Sequence, residues 1–112
     1  MAMWRTARKA SAPAPSIQTY AIHGGSVQAS AADPAKIVGL RVRIYNNFWR
    51  GYEGDFERTP CPVVARCVRP FLHPDGRRAD TYLIEYGGRY FPIKLSTLRT
   101  CLSPDQRAQV GA

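Results

Sequence analysis

A chain of 112 residues with 16 basic and 8 acidic side chains has room for one modest domain and its tails, and is too short for two independent cores. Three cysteines, Cys61, Cys67 and Cys101, are an odd number without C-x-x-C spacing, so the pattern indicates neither a disulfide framework nor a zinc cage, and a reducing compartment is expected. No run approaches the roughly 18 apolar residues a membrane helix needs, and the N-terminus lacks the apolar centre of a secretory signal; the expectation is a protein with no membrane, metal or cofactor, in cytoplasm, nucleoid or nucleus.

The first element in chain order is a basic arm or linker, residues 1–36, with Arg5, Arg8, Lys9 and Lys36 against Asp33 alone. Its few large apolar side chains are diluted by Ala, Ser, Pro and Gly, too little to offset the entropy of ordering. Being basic and without an acid before Asp33, its start also suits a mitochondrial or plastid presequence. A short patch at Ile17, Tyr20 and Ile22 alternates weakly enough to suggest at most an edge strand.

From Leu40 the pattern becomes strict alternation: Leu40, Val42 and Ile44 on one face, Arg41, Arg43 and Tyr45 on the other, the mark of a half-buried strand. Asn46-Asn47 supplies a turn, and an extended run from Trp49 to Arg58 contains Gly51 and Gly54, which mark bends or bulges. Thr59-Pro60-Cys61-Pro62 interrupts the run, because proline cannot donate to a ladder. A third strand is expected from Val63 to Phe71, with Cys61, Val63, Ala65 and Cys67 on one face by parity.

His73-Pro74-Asp75-Gly76 reads as a turn. Asp80 to Tyr86 is β-rich, Gly87-Gly88 closes a hairpin, and Arg89 to Leu95 forms the fifth strand, with Phe91, Ile93 and Leu95 sharing a face. Ser96-Thr97-Leu98 suggests one closing helical turn. Ser103-Pro104-Asp105-Gln106 combines a capping Ser, a Pro at the first helical position and a Gln three residues from the cap, predicting a short helix within 103–112. The fold class expected is all-β: residues 37–102 as a small five-stranded SH3-like barrel, since a sandwich needs more strands.

The stretch KIVGLRVRIYNNFWRGYEGDF resembles the opening of a Tudor or agenet-type domain, and TYLIEYGGRYFPIKLSTLR resembles its end. Together they cover about 37–58 and 80–99. The resemblance implies an SH3-like barrel that holds a methylated ammonium or guanidinium in an aromatic cage by cation–π attraction. By position Tyr45, Trp49, Tyr52 and Tyr86 would form that cage, although Gly87, Gly88 and Arg89 stand where a further aromatic is common.

Residues 37–102 carry eleven basic and six acidic side chains, and thirteen of the sixteen basic residues are Arg, whose planar guanidinium forks onto phosphate or stacks on a base. A nucleic acid (RNA or DNA) or a nucleoprotein is therefore the partner expected first, read by Arg41, Arg43, Tyr45, Arg50, Tyr52, Arg89 and Tyr90, with aromatics stacking on bases and Arg neutralising phosphates. A pI near 9.9 also has a plainer reading, a GC-rich genome and improved solubility. A third possibility is a small mobile-element protein docking onto a host nucleoprotein machine through Phe48, Trp49, Phe71 and Leu72, since exposed aromatics are enriched at interfaces.

Catalysis is not expected. His23 and His73 stand near no recognised nucleophile motif, and Asp55 beside Glu53 and Glu57 reads as solvated charge rather than an acid–base pair. FWRG and GGRYFPIKL are loosely similar to segments of the plasmid-borne dihydrofolate reductases, which are also small SH3-like subunits; no catalytic residue carries over from that similarity.

Overall fold

The computed structural model describes residues 17–45, 48 and 60–110. The expected turn at Asn46-Asn47 and the run from Trp49 to Arg58 lie outside them. The described chain is mostly antiparallel sheet followed by two short helices: β1 Gln18–Ile22, β2 Gly25–Ser30, β3 Arg41–Val42, β4 Cys61–Cys67, β5 Phe71–Leu72, β6 Arg78–Ala79, β7 Thr81–Tyr86, β8 Arg89–Lys94, α1 Leu95–Cys101 and α2 Pro104–Val110.

The main sheet runs β1-β2-β4-β7-β8, with β3 paired to the start of β4, while β5 and β6 form a separate two-stranded hairpin. Closure into a barrel was the expectation; the sheet is open, because β1 and β8 are its two ends and share no ladder. The ends do approach. The Tyr20 ring on β1 meets the Tyr90 ring on β8 edge-on, with centroids 5.0 Å apart and planes at 82°, a geometry that sets a positive ring edge against a negative face.

The segment expected as linker needs correction as well. From residue 17 onward it forms a hairpin, β1 and β2, in which Ile22 pairs with Gly25 across His23-Gly24, and Gly24 takes φ +83°. Ala29 on β2 is fully buried against β4, where it pairs with Cys67.

Alternation on β3 holds: Val42 and Ile44 are buried and Arg41, Arg43 and Tyr45 exposed. Val42 and Ile44 enter the larger core with Ile37, Cys61, Val63, Tyr82, Ile84, Phe91, Ile93 and Leu98. Strand β4 begins at Cys61, two residues earlier than expected, and runs through Pro62, close enough to its start for a missing donor to be tolerated. It ends at Cys67 rather than reaching Phe71, which belongs to the hairpin.

Burial along β4 alternates from end to end, yet its buried residues do not share one face. A register shift lies between Val63, opposite Ile84, and Ala65, opposite Leu83. Ile84 and Leu83 are neighbours on β7 and point to opposite sides, so the bulge carries β4 from one face to the other. Cys61 and Val63 join the larger core, whereas Ala65 and Cys67 join a second cluster with Ala29 and Leu83, flanked by Tyr20, Ile22, Val27 and Val64.

The β7–β8 hairpin turns on Gly87-Gly88 as expected. Both glycines have positive φ, +59° and +77°, and Tyr86 pairs with Arg89 across them, which is the two-residue primed turn that matches strand twist. The closing helical turn is longer than predicted, a seven-residue helix that buries Leu98 and Cys101. At α2 the Gln106 N–H donates to Ser103 Oγ at 3.2 Å, and the Ser103 N–H donates to Gln106 Oε1 at 3.0 Å, a reciprocal capping box. Gln106 Nε2 also donates to the Arg41 carbonyl at 2.7 Å, tying α2 to β3.

Candidate nucleic-acid interface

The residues nominated for nucleic-acid contact fall into three groups. Arg41, Arg43 and Tyr45 lie together on the outward side of β3 and its continuation, because Val42 and Ile44 between them are buried; Tyr45 is 45% exposed. Arg50 and Tyr52 lie outside the described residues. Arg89 and Tyr90 do not share a surface. As neighbours on β8 they alternate across it: the Arg89 guanidinium sits 5.3 Å from the Phe91 ring centroid, and Tyr90 packs on Tyr20 with Glu85 opposite it in the ladder.

For the aromatic cage, Tyr45 is exposed while Tyr86 is half-buried and packs against the larger core; Trp49 and Tyr52 lie outside the described residues. Of the nominated protein-contact residues, Phe48, Phe71 and Leu72 line one groove. Its volume is about 650 Å³, and its walls come from the end of β1, from Phe48, from Phe71 to Asp75, from Tyr90 to Lys94 except Ile93, and from Thr97.

His73, in the turn expected from the sequence, is buried at the edge of this groove. Thr81 Oγ1 lies 2.8 Å from both His73 Nε2 and the Ala79 carbonyl, so the hydroxyl bridges the ring and the backbone. Burial lowers the His73 pKa, the Lys94 charge lowers it further, and Asp75 opposes them. The turn itself is closed by His73 N–H to Arg77 O and Gly76 N–H to His73 O, both 2.9 Å.

The charge balance of the described surface is one-sided. Among the described residues two basic side chains stand within ion-pair reach of a carboxylate: Arg66, 3.6 Å from Asp33, and Lys94, paired with Asp75. Arg41, Arg43, Arg69, Arg77, Arg78, Arg89, Arg99 and Arg107 are exposed without such a partner among those residues. Arg69, Arg77 and Arg78 are not among the residues expected from the sequence to make contact; for the last two, the dibasic pair after the Asp75-Gly76 turn was the available signal.

Burial pushes the Cys67 thiol up to about 11 and raises that of Cys61, with Arg41 partly opposing, which disfavours the reactive thiolate at both. Among the described residues no cluster of three or more His, Cys, Asp or Glu side chains is placed to hold a metal, and no helix is long and apolar enough to cross a membrane. Set against known proteins, the chain matches no protein-family model, no curated protein and no solved structure.

Proposed function

We propose that this protein is a non-enzymatic binding module whose Arg41–Arg43–Tyr45 face contacts nucleic acid or a nucleoprotein, on an opened variant of the SH3-like, Tudor-type architecture. The observation that carries the reading is the alternation at β3: buried Val42 and Ile44 hold two arginines and a tyrosine outward in a row, with no carboxylate in ion-pair reach of either guanidinium among the described residues. Guanidinium groups release counterions on meeting phosphates, and a neighbouring aromatic face stacks on a base. A methyl-ammonium cage has less support, since Tyr86 packs against the core and Arg89 follows the turn.

The test is binding of the full chain to single-stranded RNA, single-stranded DNA and duplex DNA at two salt concentrations. Replacing Arg41 and Arg43 together by Ala should reduce the slope of log affinity against log salt by about 2, one unit per lost phosphate contact. Tyr45→Ala should weaken single-strand binding by about 1–3 kcal/mol. Unchanged affinity and slope in the double variant would refute this assignment of the face.

A further inference from the structure

The β5–β6 hairpin carries a surface that the nucleic-acid face does not explain. Leu72 on the hairpin is 51% exposed and Val68, just before it, 45% exposed; both line one depression, so they form a shared apolar patch rather than scattered single residues. Phe71 and Leu72 form a ridge between two depressions, the groove of about 650 Å³ and a second of about 320 Å³ reaching β2 through Val27. Both are concave and mainly apolar, the form that takes a side chain rather than a flat surface. The hairpin is held in shape by its own turn: besides the two backbone bonds at His73, the Arg77 N–H donates to Asp75 Oδ1 at 2.9 Å.

Charge says what chemistry fits there. Arg69 and Arg78 line the second depression, both exposed. Asp75 pairs with Lys94 and also feels the Arg77 charge, whereas neither Arg69 nor Arg78 has a carboxylate within ion-pair reach among the described residues. An apolar ridge rimmed by two guanidinium groups with no carboxylate in ion-pair reach among the described residues is complementary to a strand or helix that interleaves large apolar side chains with carboxylates. The chain's own first sixteen residues fit poorly, having three basic side chains and no acidic one, and a second copy of a chain with net charge +8 meets like charge.

We propose that the ridge formed by Phe71 and Leu72, with its two flanking depressions, docks an acidic peptide segment of a partner protein, whose apolar side chains fill the depressions and whose carboxylates pair with Arg69 and Arg78. The nucleic-acid face and this surface are then separate sites on one small module. Side-chain insertion supplies most of the affinity and the arginines supply orientation and a salt-dependent on-rate.

The experiment titrates the full chain with a short synthetic peptide alternating Glu with Leu and Phe, with the same peptide carrying Lys for every Glu, with oligothymidine, and with anionic vesicles. Leu72→Ser and Arg78→Glu are the variants; both positions are exposed, and a thermal melt matching the parent shows that each folds. The expected result is saturable binding of the Glu peptide, weakened about tenfold by either variant, with amide shifts at Phe71 and Leu72. Absence of Glu-peptide binding, equal binding by both variants, or equal binding of the Lys peptide overturns the proposal. So does a loss in Leu72→Ser confined to oligothymidine or vesicles, which would assign the ridge to another ligand, or a shift of the Phe71 and Leu72 amides on Trp4→Ala, which would assign it to the chain's own N-terminus.

Discussion

Asp33 was only a unit of negative charge in the sequence, yet its side chain is 2% exposed and organises the connection from β2 into the core. Oδ2 accepts the N–H groups of Ile37 and Val38 at 2.7 and 2.9 Å, and Oδ1 accepts that of Ala35 at 3.2 Å and the Tyr82 hydroxyl at 2.9 Å. Burial alone would raise its pKa; the donors from Val38, Tyr82, Ile37 and Ala35 outweigh it and hold the carboxyl below its ordinary value. A lowered folded-state pKa means the carboxylate contributes stability above the unfolded value, near 3.8, and that this contribution is lost as pH falls through the folded value. Asp33→Asn keeps the size but cannot accept at both ends, so it should cost about 3 kcal/mol in urea unfolding at neutral pH and flatten the acid limb of stability against pH. An unchanged acid limb would mean that another carboxylate governs it. Three of these donors lie two to five residues further along the chain, within reach of a local turn, whereas the fourth, Tyr82, is 49 residues away and no local pattern announces it.

At the scale of elements, what was legible is what short-range chemistry decides. The alternation at β3, the Gly87-Gly88 turn and the Ser103–Gln106 capping box each depend on residues a few positions apart, and each stands where the sequence put it. Barrel closure and the common face of β4 failed for the opposite reason: a bulge between Val63 and Ala65 is chosen by the partner strand, and whether β1 bonds to β8 depends on the curl of the whole sheet. The β1–β2 hairpin was masked by its small residues, although Tyr20 and Ile22 alternate toward its turn as Val27 and Ala29 alternate away from it. Of the nominated contacts, Arg41, Arg43 and Tyr45 lie together, as do Phe48, Phe71 and Leu72, whereas Arg89 and Tyr90 part because strand parity separates neighbours. The turn also makes a sharp prediction. Gly88 sits at φ +77°, so Gly88→Val should destabilise by about 1–2 kcal/mol through backbone strain, while Gly87→Asn, a residue that accepts this conformation, should be nearly neutral. Equal losses in both variants, measured by chemical denaturation, would show that lost space rather than φ decides.

For the molecule as a whole, the question is where the folding unit begins. A start at Ile37 omits β1, β2 and Asp33 together. Without β2 the fully buried Ala65 and Leu83 lose the cover of Ala29, and without Asp33 the Tyr82 hydroxyl and the Val38 N–H lose their acceptor. Uncovering a leucine forfeits about 2 kcal/mol, and each stranded buried donor costs about 1–3 kcal/mol. A domain of this size has about 5–15 kcal/mol in total, so these losses consume most or all of its stability. The expectation is that a 37–112 fragment shows no cooperative thermal transition, whereas a 17–112 fragment, which keeps every described contact, melts near the temperature of the full chain. A cooperative transition in the shorter fragment would mean that the larger core, built from Val42, Ile44, Val63, Tyr82, Ile84, Phe91, Ile93 and Leu98, suffices alone, and that the β1–β2 hairpin is an addition to a complete domain rather than part of its sheet.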